Sequence, residues 1–233
     1  MYDLYIANKN YSSWSARPWV LMRELKVAFR ERMVFFGQES KWQEFRKLSP
    51  NGRVPCLVDG ATVVWDSLAI VEYLAERHDG VWPQDAAARA WARSASAEMH
   101  SGFAELRTRC SMTCGQRIRL SEIPAPLERD LARLDALWND GLHRFGGPYL
   151  SGASFSAVDA FFAPVAFRVQ TYGLELGAPG AAYAQHLLAT RALREWYEGA
   201  LKETVRDAPH EEDIVRYGTV LQDQRAVRGA AGA

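Results

Sequence analysis

A serine-rich segment near the N-terminus combines residue types that can bind an anion or a thiol. Residues 11–17 have the sequence Tyr-Ser-Ser-Trp-Ser-Ala-Arg and are followed by Pro18. Proline is accepted in the first turn of a helix, so a helix is predicted here, and its N–H groups and dipole favour an anion. A serine hydroxyl at this place can also donate a hydrogen bond to a thiolate. Alternatively, Ser12, Ser13 or Ser15 only caps the helix, since serine is a preferred N-cap residue.

Two further motifs have residue types suited to a small polar ligand. Val54-Pro55 follows a turn at 49–52 and opens a strand, where the local sequence favours a trans bond at a sheet edge. Asp66-Ser67 precedes a helical run, in which either residue is a good N-cap. In a functional interpretation, the carboxylate, the hydroxyl and the helix N–H groups hold a ligand group that has both a carboxylate and an ammonium. The residues alone leave both interpretations open.

These motifs lie at the ends of regular elements that hydrophobic periodicity predicts. Asp59-Gly60 between two apolar runs is a strong hairpin signal. The order β-α-β-α-β-β-α is therefore predicted, with strands at 3–7, 32–36, 54–58 and 61–64, and helices after Pro18, at 41–48 and from Ser67. Ligands commonly bind at strand ends in open α/β sheets, which favours a functional role for the three motifs.

The second half of the chain is rich in alanine and arginine, with helical spacing and no convincing strand. It predicts an all-α C-terminal domain that follows an α/β domain, with helices at 86–118, 126–145, 157–172, 181–188 and 191–202. The predicted division is an α/β domain at 1–80, a linker at 81–88, a helical domain at 89–215 and a tail at 216–233. We expect the chain from Asp207 onward to be loosely packed.

Composition narrows the possible functions. The 233 residues include 28 Lys plus Arg and 28 Asp plus Glu, so no net charge favours nucleic acid or a membrane surface as a partner. No stretch approaches the roughly 18 apolar residues of a membrane helix and no signal segment is recognised, so a cytoplasmic protein is expected. The odd number of cysteines argues against a disulfide framework, and no further ligand completes a metal site. Cys56, Cys110 and Cys114 are therefore expected to be structural thiols.

Taken together, the three motifs resemble the N-terminal thioredoxin-like domain of the cytosolic glutathione transferases. The segments that match this family in order and spacing are Ser12-Ser13-Trp14-Ser15, Arg53-Val54-Pro55 and Asp66-Ser67-Leu68-Ala69-Ile70. The Ser-Ser-x-Ser pattern is most similar to the zeta class, the maleylacetoacetate isomerases, and to bacterial relatives with a Ser-Ser-Trp-Ser motif. The resemblance implies a thioredoxin-like domain followed by an all-α domain.

The second half agrees with this resemblance. Residues 83–85, Pro-Gln-Asp, followed by Arg-Ala at 89–90, are similar to the family's connection between its two domains. Ser156 and Asp159 match a capping box in its helical domain. There the Ser156 hydroxyl accepts from the Asp159 N–H, while the Asp159 carboxylate accepts from the Ser156 N–H. This box is structural rather than catalytic.

The resemblance implies a glutathione S-transferase with glutathione as its co-substrate and no metal. Spacing to Arg17 puts Ser12 at the position of the active-site nucleophile, with Ser13 as its nearest rival. A hydroxyl there can stabilise the glutathione thiolate. Val54 then offers its backbone N–H and C=O to the cysteinyl part of glutathione, which requires a cis bond to Pro55.

The resemblance also implies contacts to the two ends of glutathione. Asp66 and Ser67 hold the γ-glutamyl end with Arg53 close by, although the family usually has Gln or Glu at the position of Asp66. For the glycyl carboxylate, the implied contact is Arg46, with Lys47 and Lys41 as alternatives. In a competing interpretation, these three residues only form a basic face exposed to solvent.

An electrophile pocket is expected between the serine loop and the first long helix of the second domain. Its expected lining is Tyr11, Trp14, Met99, His100, Phe103 and Arg107. The same stripe of aromatic and methionine side chains also fits a hydrophobic core. In a zeta-class isomerase, the arginine for the substrate carboxylate aligns near Thr171, and Arg168 lies about one helical turn earlier.

The implied partners are glutathione, a small electrophile and a second copy of the chain in a homodimer. Alternatives in the same class are a glutathione-dependent isomerase, peroxidase or dehalogenase. An alternative in a different class is a non-catalytic binding or regulatory protein with the same fold. Ser12, Pro55 and Ser67 together favour a working glutathione site, because a scaffold has no physical need for all three.

Overall fold

The computed structural model describes residues 1–225. Its first half has the predicted order of strands and helices. The elements are β1 (Tyr2–Ile6), α1 (Ser13–Glu24), β2 (Phe29–Met33), α2 (Glu39–Leu48), β3 (Cys56–Asp59), β4 (Thr62–Val64) and α3 (Ser67–Ala75). The four strands form one sheet in the order β2-β1-β3-β4, in which β1 and β2 are parallel and the other pairs are antiparallel. This is the thioredoxin-like arrangement that the family resemblance implies.

Two elements of this half differ from their predicted bounds by three residues or more. Helix α1 begins at Ser13, so Pro18 lies inside the helix rather than in its first turn. Strand β2 is Phe29–Met33 rather than 32–36. In its parallel register with β1, Arg30 lies opposite Asp3. The guanidinium of Arg30 binds the Asp3 carboxylate, and this ion pair supports the observed register.

The second half is mostly helical. Its helices are α4 (Ala86–Ser101), α5 (Ala104–Arg109), α6 (Ala125–Phe145), α7 (Ala157–Tyr172), α8 (Ala178–Ala189), α9 (Arg191–Lys202) and α10 (Ala208–Arg216). The prediction of one helix over 86–118 is wrong. Helix α4 ends at Ser101 and is followed by its C-cap residue Gly102, whose N–H donates to the Glu98 carbonyl; Phe103 then adopts a left-handed conformation with φ 57°.

The expectation that this half contains no strand is also corrected. Strands β5 (Gln116–Leu120) and β6 (Gly218–Asp223) form a two-stranded antiparallel sheet. The chain from Asp207 onward, expected to be loosely packed, forms α10 and β6. Residues 226–233 of the predicted tail lie outside the described residues. Within residues 1–225, no helix is long and apolar enough to cross a membrane.

The two halves share one hydrophobic core. Helix α7 is buried along almost its whole length and packs against α1, α4 and α8. Across the contact between α1 and α9, the rings of Trp19 and Trp196 meet edge to face at 5.2 Å, and both side chains are fully buried. Truncating such a residue typically costs about 3–5 kcal/mol. This packing holds α1 and α4 in fixed positions beside the start of α3.

The predicted capping box is present at the start of α7. The buried Asp159 carboxylate accepts hydrogen bonds from the Ser156 N–H at 2.9 Å, the Leu150 N–H at 3.0 Å and the Tyr183 hydroxyl at 2.8 Å. In addition, the Ala157 N–H donates to the Val81 carbonyl at 2.8 Å. The box therefore ties three separate segments to the central helix.

Candidate active site

A groove of about 200 Å³ lies where the starts of α1, β3 and α3 meet. Its lining consists of Trp14, Asn51, Arg53, Val54, Pro55 and Asp66. The structure thus brings one or more residues of each of the three motifs to one groove, whereas Ser12, Ser13 and Ser67 are not part of its lining. The Val54–Pro55 bond is cis, as the resemblance implies and against the local expectation.

Asn51 is a groove residue that the sequence analysis missed. Its side-chain oxygen accepts from the Ser49 hydroxyl at 3.1 Å and from the Arg53 N–H at 3.0 Å. Asparagine favours turns because its side chain bonds nearby backbone in this way. The turn residues at 49–52 were the available signal for this position.

The serines lie at the start of α1, where the helix dipole is positive. Ser12 is the N-cap residue by position, yet its side chain makes no capping hydrogen bond. Instead, its hydroxyl lies 2.7 Å from the Ser15 hydroxyl, which also accepts from the Ala7 N–H at 3.3 Å. Ser12 and Ser13 are 5% and 8% exposed, whereas Ser15 is fully buried. The simple capping interpretation of Ser12 is therefore incorrect.

Asp66 and Ser67 begin helix α3. The Asp66 carboxylate accepts from the Leu68 N–H at 3.0 Å, so its capping interpretation is confirmed. Its other oxygen lies 3.3 Å from Nε2 of His100 on α4. Ser67 is fully buried, and its hydroxyl accepts from Nη1 of Arg17 at 3.3 Å. Asp66 thus lines the groove directly, while Ser67 lies behind the lining and contacts Arg17.

Arg17 has a role in this site that the sequence analysis did not foresee. Its side chain is 1% exposed, and its guanidinium lies 4.2 Å from the ring centre of Trp14 and 4.8 Å from that of Phe161. Within residues 1–225, its Nε has no hydrogen-bond partner. Burial, with added repulsion from Arg107 and Arg168, lowers the pKa of Arg17 well below its ordinary value. The helix therefore buries a cation that no carboxylate of the described residues contacts directly.

His100 connects Arg17 to Asp66. Nη1 of Arg17 lies 3.5 Å from Nδ1 of His100, so we assign the imidazole proton to Nε2, which faces the Asp66 carboxylate. Burial lowers the pKa of His100, and Arg17 and Arg107 lower it further, while Asp66 opposes these effects. His100 is also packed edge to face on Trp14 at 5.1 Å. A neutral imidazole thus bridges α1 and α3 from the helical half.

Three residues predicted for the electrophile pocket lie elsewhere. Met99 and Phe103 are 1% and 6% exposed and belong to the hydrophobic core. This is the other role that the sequence allows for these aromatic and methionine side chains. Tyr11 is also buried, because the C-terminal segment covers it. Its hydroxyl donates to the Glu211 carboxylate and accepts from Nη1 of Arg225 at 3.2 Å.

The arginines near the expected pocket bind backbone carbonyls. Arg107 stacks on Trp14 at 5.0 Å and donates to the carbonyls of Met99, His100 and Gly102 at the end of α4. Arg168 is buried and donates from Nε to the Cys110 carbonyl at 2.7 Å. The replacement of a zeta-class arginine by Arg168 is therefore not supported, since its guanidinium is engaged inside the core.

The candidates for the glycyl carboxylate do not line the groove. Arg46 is exposed and forms an ion pair with Glu39 at 2.7 Å on α2. Lys41 and Lys47 are exposed on the same helix. This arrangement fits the solvated basic face that the sequence equally allows.

The cysteines have the surroundings of structural thiols. All three are buried, and burial raises the pKa of Cys56 to about 11 and that of Cys110 to about 12. Burial also raises the pKa of Cys114, whose thiol donates to the Lys9 carbonyl. Thiols with raised pKa values are poor nucleophiles. In the part of the chain that the structure describes, no group of three or more His, Cys, Asp and Glu side chains could hold a metal ion.

Comparison with known proteins finds similarity to glutathione transferases. Residues 11–77 match the family model described as glutathione S-transferase, N-terminal domain. Glutathione S-transferase 1 of Dianthus caryophyllus is 28% identical over 182 residues, which are 75% of this chain and 80% of that protein. A dichloromethane dehalogenase of Methylorubrum extorquens is 46% identical over 61 residues, which are 25% of this chain and 21% of the dehalogenase. The match thus spans about a fifth of the dehalogenase.

The "Probable maleylacetoacetate isomerase" of Caenorhabditis elegans is 30% identical over 105 residues, which are 44% of this chain and 48% of that protein. Among solved structures, a glutathione transferase homolog from Burkholderia with bound glutathione superposes with a TM-score of 0.63 at 21% identity. The superposition covers 85% of this chain and 97% of the other. At this level of identity, the likeness is one of fold.

A thioredoxin-like sheet with a cis-proline groove is followed by a mostly helical region, which is the fold of the glutathione transferases. The family model over residues 11–77 and the curated relatives support the glutathione S-transferase family for this chain, and the solved structures support its fold. Similarity to the zeta class rests on a match to less than half of each chain.

Proposed function

We propose that this chain is a glutathione transferase in which Ser12 stabilises the thiolate of bound glutathione for attack on a small electrophile. The observation that carries the proposal is the groove between the starts of α1, β3 and α3. In it, the Val54 backbone meets the cysteinyl part of glutathione, and the thiol then faces the serines at the start of α1.

The γ-glutamyl end is assigned to the start of α3. Its ammonium pairs with the Asp66 carboxylate, and its carboxylate lies at the N-terminus of the helix, where the dipole favours an anion. Ser67 belongs to the same assignment, because Arg17 contacts its hydroxyl and adds positive charge behind it. Arg53, which lines the groove, provides a further positive group. Each charge of this end then has a partner of opposite sign.

The energy available from Ser12 is adequate for thiol activation. A hydrogen bond to a charged group contributes roughly 1.5–3 kcal/mol, which corresponds to about one to two pKa units. The helix start adds a smaller contribution of the same sign. Together they bring a thiol from about 8.5 towards 7 or below, where much of it is ionised at neutral pH.

Related activities remain as second candidates. The partial match to a maleylacetoacetate isomerase favours a glutathione-dependent isomerase, and the match to a dichloromethane dehalogenase favours displacement of halide. Both use the same thiolate as the nucleophile. A peroxidase activity and a non-catalytic binding role are also compatible with a glutathione groove. From its likeness to the family, we also propose that the protein is a homodimer located in the cytoplasm.

Glutathione binding and turnover test this proposal. Calorimetry should show that the protein binds glutathione, and assays against alkyl halides, activated aryl halides, cis-trans isomerisable diacids and organic peroxides should identify the electrophile class. Ser67→Ala should raise the apparent Kd for glutathione by about tenfold with little change in kcat. Ser94→Ala, on the exposed face of α4, is the matched control. Absence of glutathione binding by the unmodified protein would overturn the proposal.

A further inference from the structure

Two arginine side chains stand on one aromatic ring of the groove wall. Trp14 lines the groove. The centre of its ring lies 4.2 Å from the guanidinium of Arg17 and 5.0 Å from that of Arg107. His100 also contacts both cations, because its Nδ1 lies 3.5 Å from Nη1 of Arg17 and its carbonyl accepts from Nη2 of Arg107 at 3.2 Å. Residues of α1, α4 and α5 thus form one cluster around Trp14.

Neither cation of this cluster has a carboxylate partner within residues 1–225. Arg17 donates to the Ser67 hydroxyl at 3.3 Å, and its Nε has no hydrogen-bond partner there. Arg107 is half-buried and donates from Nε and Nη2 to backbone carbonyls at the end of α4, while no hydrogen bond in this part of the chain engages its Nη1. A helix C-terminus carries only about half an elementary negative charge, so it compensates the Arg107 charge incompletely.

Glutathione supplies an anion to only one of these two cations. In the proposed function, its γ-glutamyl carboxylate lies at the start of α3, where Arg17 contacts Ser67. Asp66 is assigned to the ammonium of the same group. Burial, with repulsion from Arg168, lowers the pKa of Arg107 to about 10, so its charge is disfavoured unless an anion is near. Buried charges in proteins are usually paired, and Arg107 therefore suits a second anionic ligand.

We propose that the electrophile is itself an anion, whose carboxylate or similar oxyanion binds Nη1 of Arg107 while its apolar part lies on Trp14. The inference rests on the proposed function, since it names the substrate class of the same groove. A hydrogen bond between ionised partners is roughly twice as strong as a neutral one, and a planar apolar group packs well on an indole ring. The chemistry is unchanged: the thiolate sulfur bonds to carbon, and the leaving group departs with its electron pair.

A matched pair of aryl halides tests this proposal on the unmodified protein. The pair is 4-chloro-3,5-dinitrobenzoate, an anion, and its neutral methyl ester. Each kcat/KM is divided by the rate constant of the same halide with free glutathione thiolate, which removes their difference in intrinsic reactivity. We expect the corrected kcat/KM to be about tenfold higher for the benzoate, on the scale of a hydrogen bond to a charged group. Equal values, or a preference for the ester, would overturn the proposal.

The glutathione conjugates of the two halides provide a binding test that does not need turnover. Calorimetry should show that the conjugate with a free carboxylate binds about tenfold more tightly than its methyl ester, for the same reason. This measurement decides the question if neither halide is turned over. Equal dissociation constants would refute an anionic electrophile.

Variants on helix α5 assign the contact to one side chain. Arg107→Met should remove the preference for the benzoate and for its conjugate. Arg109→Met is the matched control, because Arg109 lies on the same helix and forms ion pairs with Glu105 and Glu122; it should keep the preference. Arg107→Lys keeps the charge without the planar fork of donors. It should give an intermediate preference, and it carries the test if the methionine variant does not fold.

The outcomes distinguish this inference from the proposed function. If the unmodified protein does not bind glutathione in calorimetry, the proposed function fails and the inference fails with it. If glutathione binds and the preference for the anion is absent, only the anionic electrophile is refuted. A preference that survives Arg107→Met would show that another group binds the anion, and it would contradict the assignment to Arg107.

Discussion

Nη1 of Arg17 and Nδ1 of His100 lie 3.5 Å apart, where α1 of the α/β half meets α4 of the helical half. Through this pair, the start of α3 is held from two sides: Arg17 contacts Ser67 directly, and His100 contacts Asp66. The residues assigned to the γ-glutamyl end of glutathione therefore depend on the packing of the two halves.

Replacing the buried cation should separate stability from ligand binding. Arg17→Met removes a guanidinium that burial disfavours and keeps an apolar stem against Trp14 and Phe161. We expect the free energy of unfolding to stay equal or to rise by about 1 kcal/mol, while glutathione affinity falls about tenfold, or roughly 1.4 kcal/mol. Calorimetry and denaturant unfolding measure the two effects, with exposed Arg133→Met as the control. An unfolding midpoint several degrees lower with unchanged affinity would contradict this expectation.

Acidification should weaken the fold through His100. Its pKa is below the usual 6.5 in the folded protein, mainly because of burial, so the unfolded chain binds the proton more tightly. Stability should therefore fall as pH decreases below about 6.5. His100→Gln removes this titration and should flatten the dependence of Tm on pH between about 5 and 7. His143→Gln, on the exposed side of α6, should keep the slope of the unmodified protein.

Thiol activation should depend on Ser12 more than on Ser13. We expect Ser12→Ala to raise the pKa of bound glutathione by about one to two units and to lower transferase activity near neutral pH. The loss should shrink as pH rises, because the thiol then ionises without help. Ser13→Ala is the matched comparison, since both residues lie at the start of α1. A shift seen only in Ser13→Ala would move the assignment by one residue.

Tyr11 should matter for stability and not for chemistry. Its hydroxyl is engaged by Glu211 and Arg225, and burial and Glu211 raise its pKa. Tyr11→Phe leaves those partners with one fewer hydrogen bond, so we expect a loss of about 1–3 kcal/mol in the free energy of unfolding. The thiol pKa should stay unchanged, and kcat should stay within about twofold of the unmodified protein. A large rise in the thiol pKa would instead identify Tyr11 as the activating group.

The carboxylate of the capping box should be a major determinant of stability. Asp159→Ala leaves the N–H groups of Leu150 and Ser156 and the Tyr183 hydroxyl without their acceptor in a fully buried site. We expect the free energy of unfolding to fall by about 3 kcal/mol or more. Ser156→Ala, which removes only the hydroxyl of the same box, should cost about 1 kcal/mol. Urea unfolding of both variants measures the difference, and equal losses would contradict this account.

The sequence by itself determined the features that depend on residues close along the chain. Periodicity and the Asp59-Gly60 turn predicted the element order of the sheet, and residue types at helix starts predicted the caps at Asp66 and Ser156. These signals are local, because a cap or a tight turn involves residues within three or four positions of each other. Family likeness added the cis bond at Pro55, which local preference alone disfavours.

Only the tertiary structure decided which side chains are buried and which distant partners they contact. Arg225 donates a hydrogen bond to the hydroxyl of Tyr11, which lies 214 positions earlier in the chain. Strand β6 pairs with β5 although the chain between them is mostly helical. An alanine- and arginine-rich segment gave no sign of that pairing, since strand formation there depends on a partner far along the chain. Likewise, a serine at a helix start looks like a cap until packing brings Nη1 of Arg17 within 3.3 Å of the Ser67 hydroxyl, 50 positions further along the chain. Burial and long-range pairing arise from the sum of many contacts between segments, so no local pattern records them.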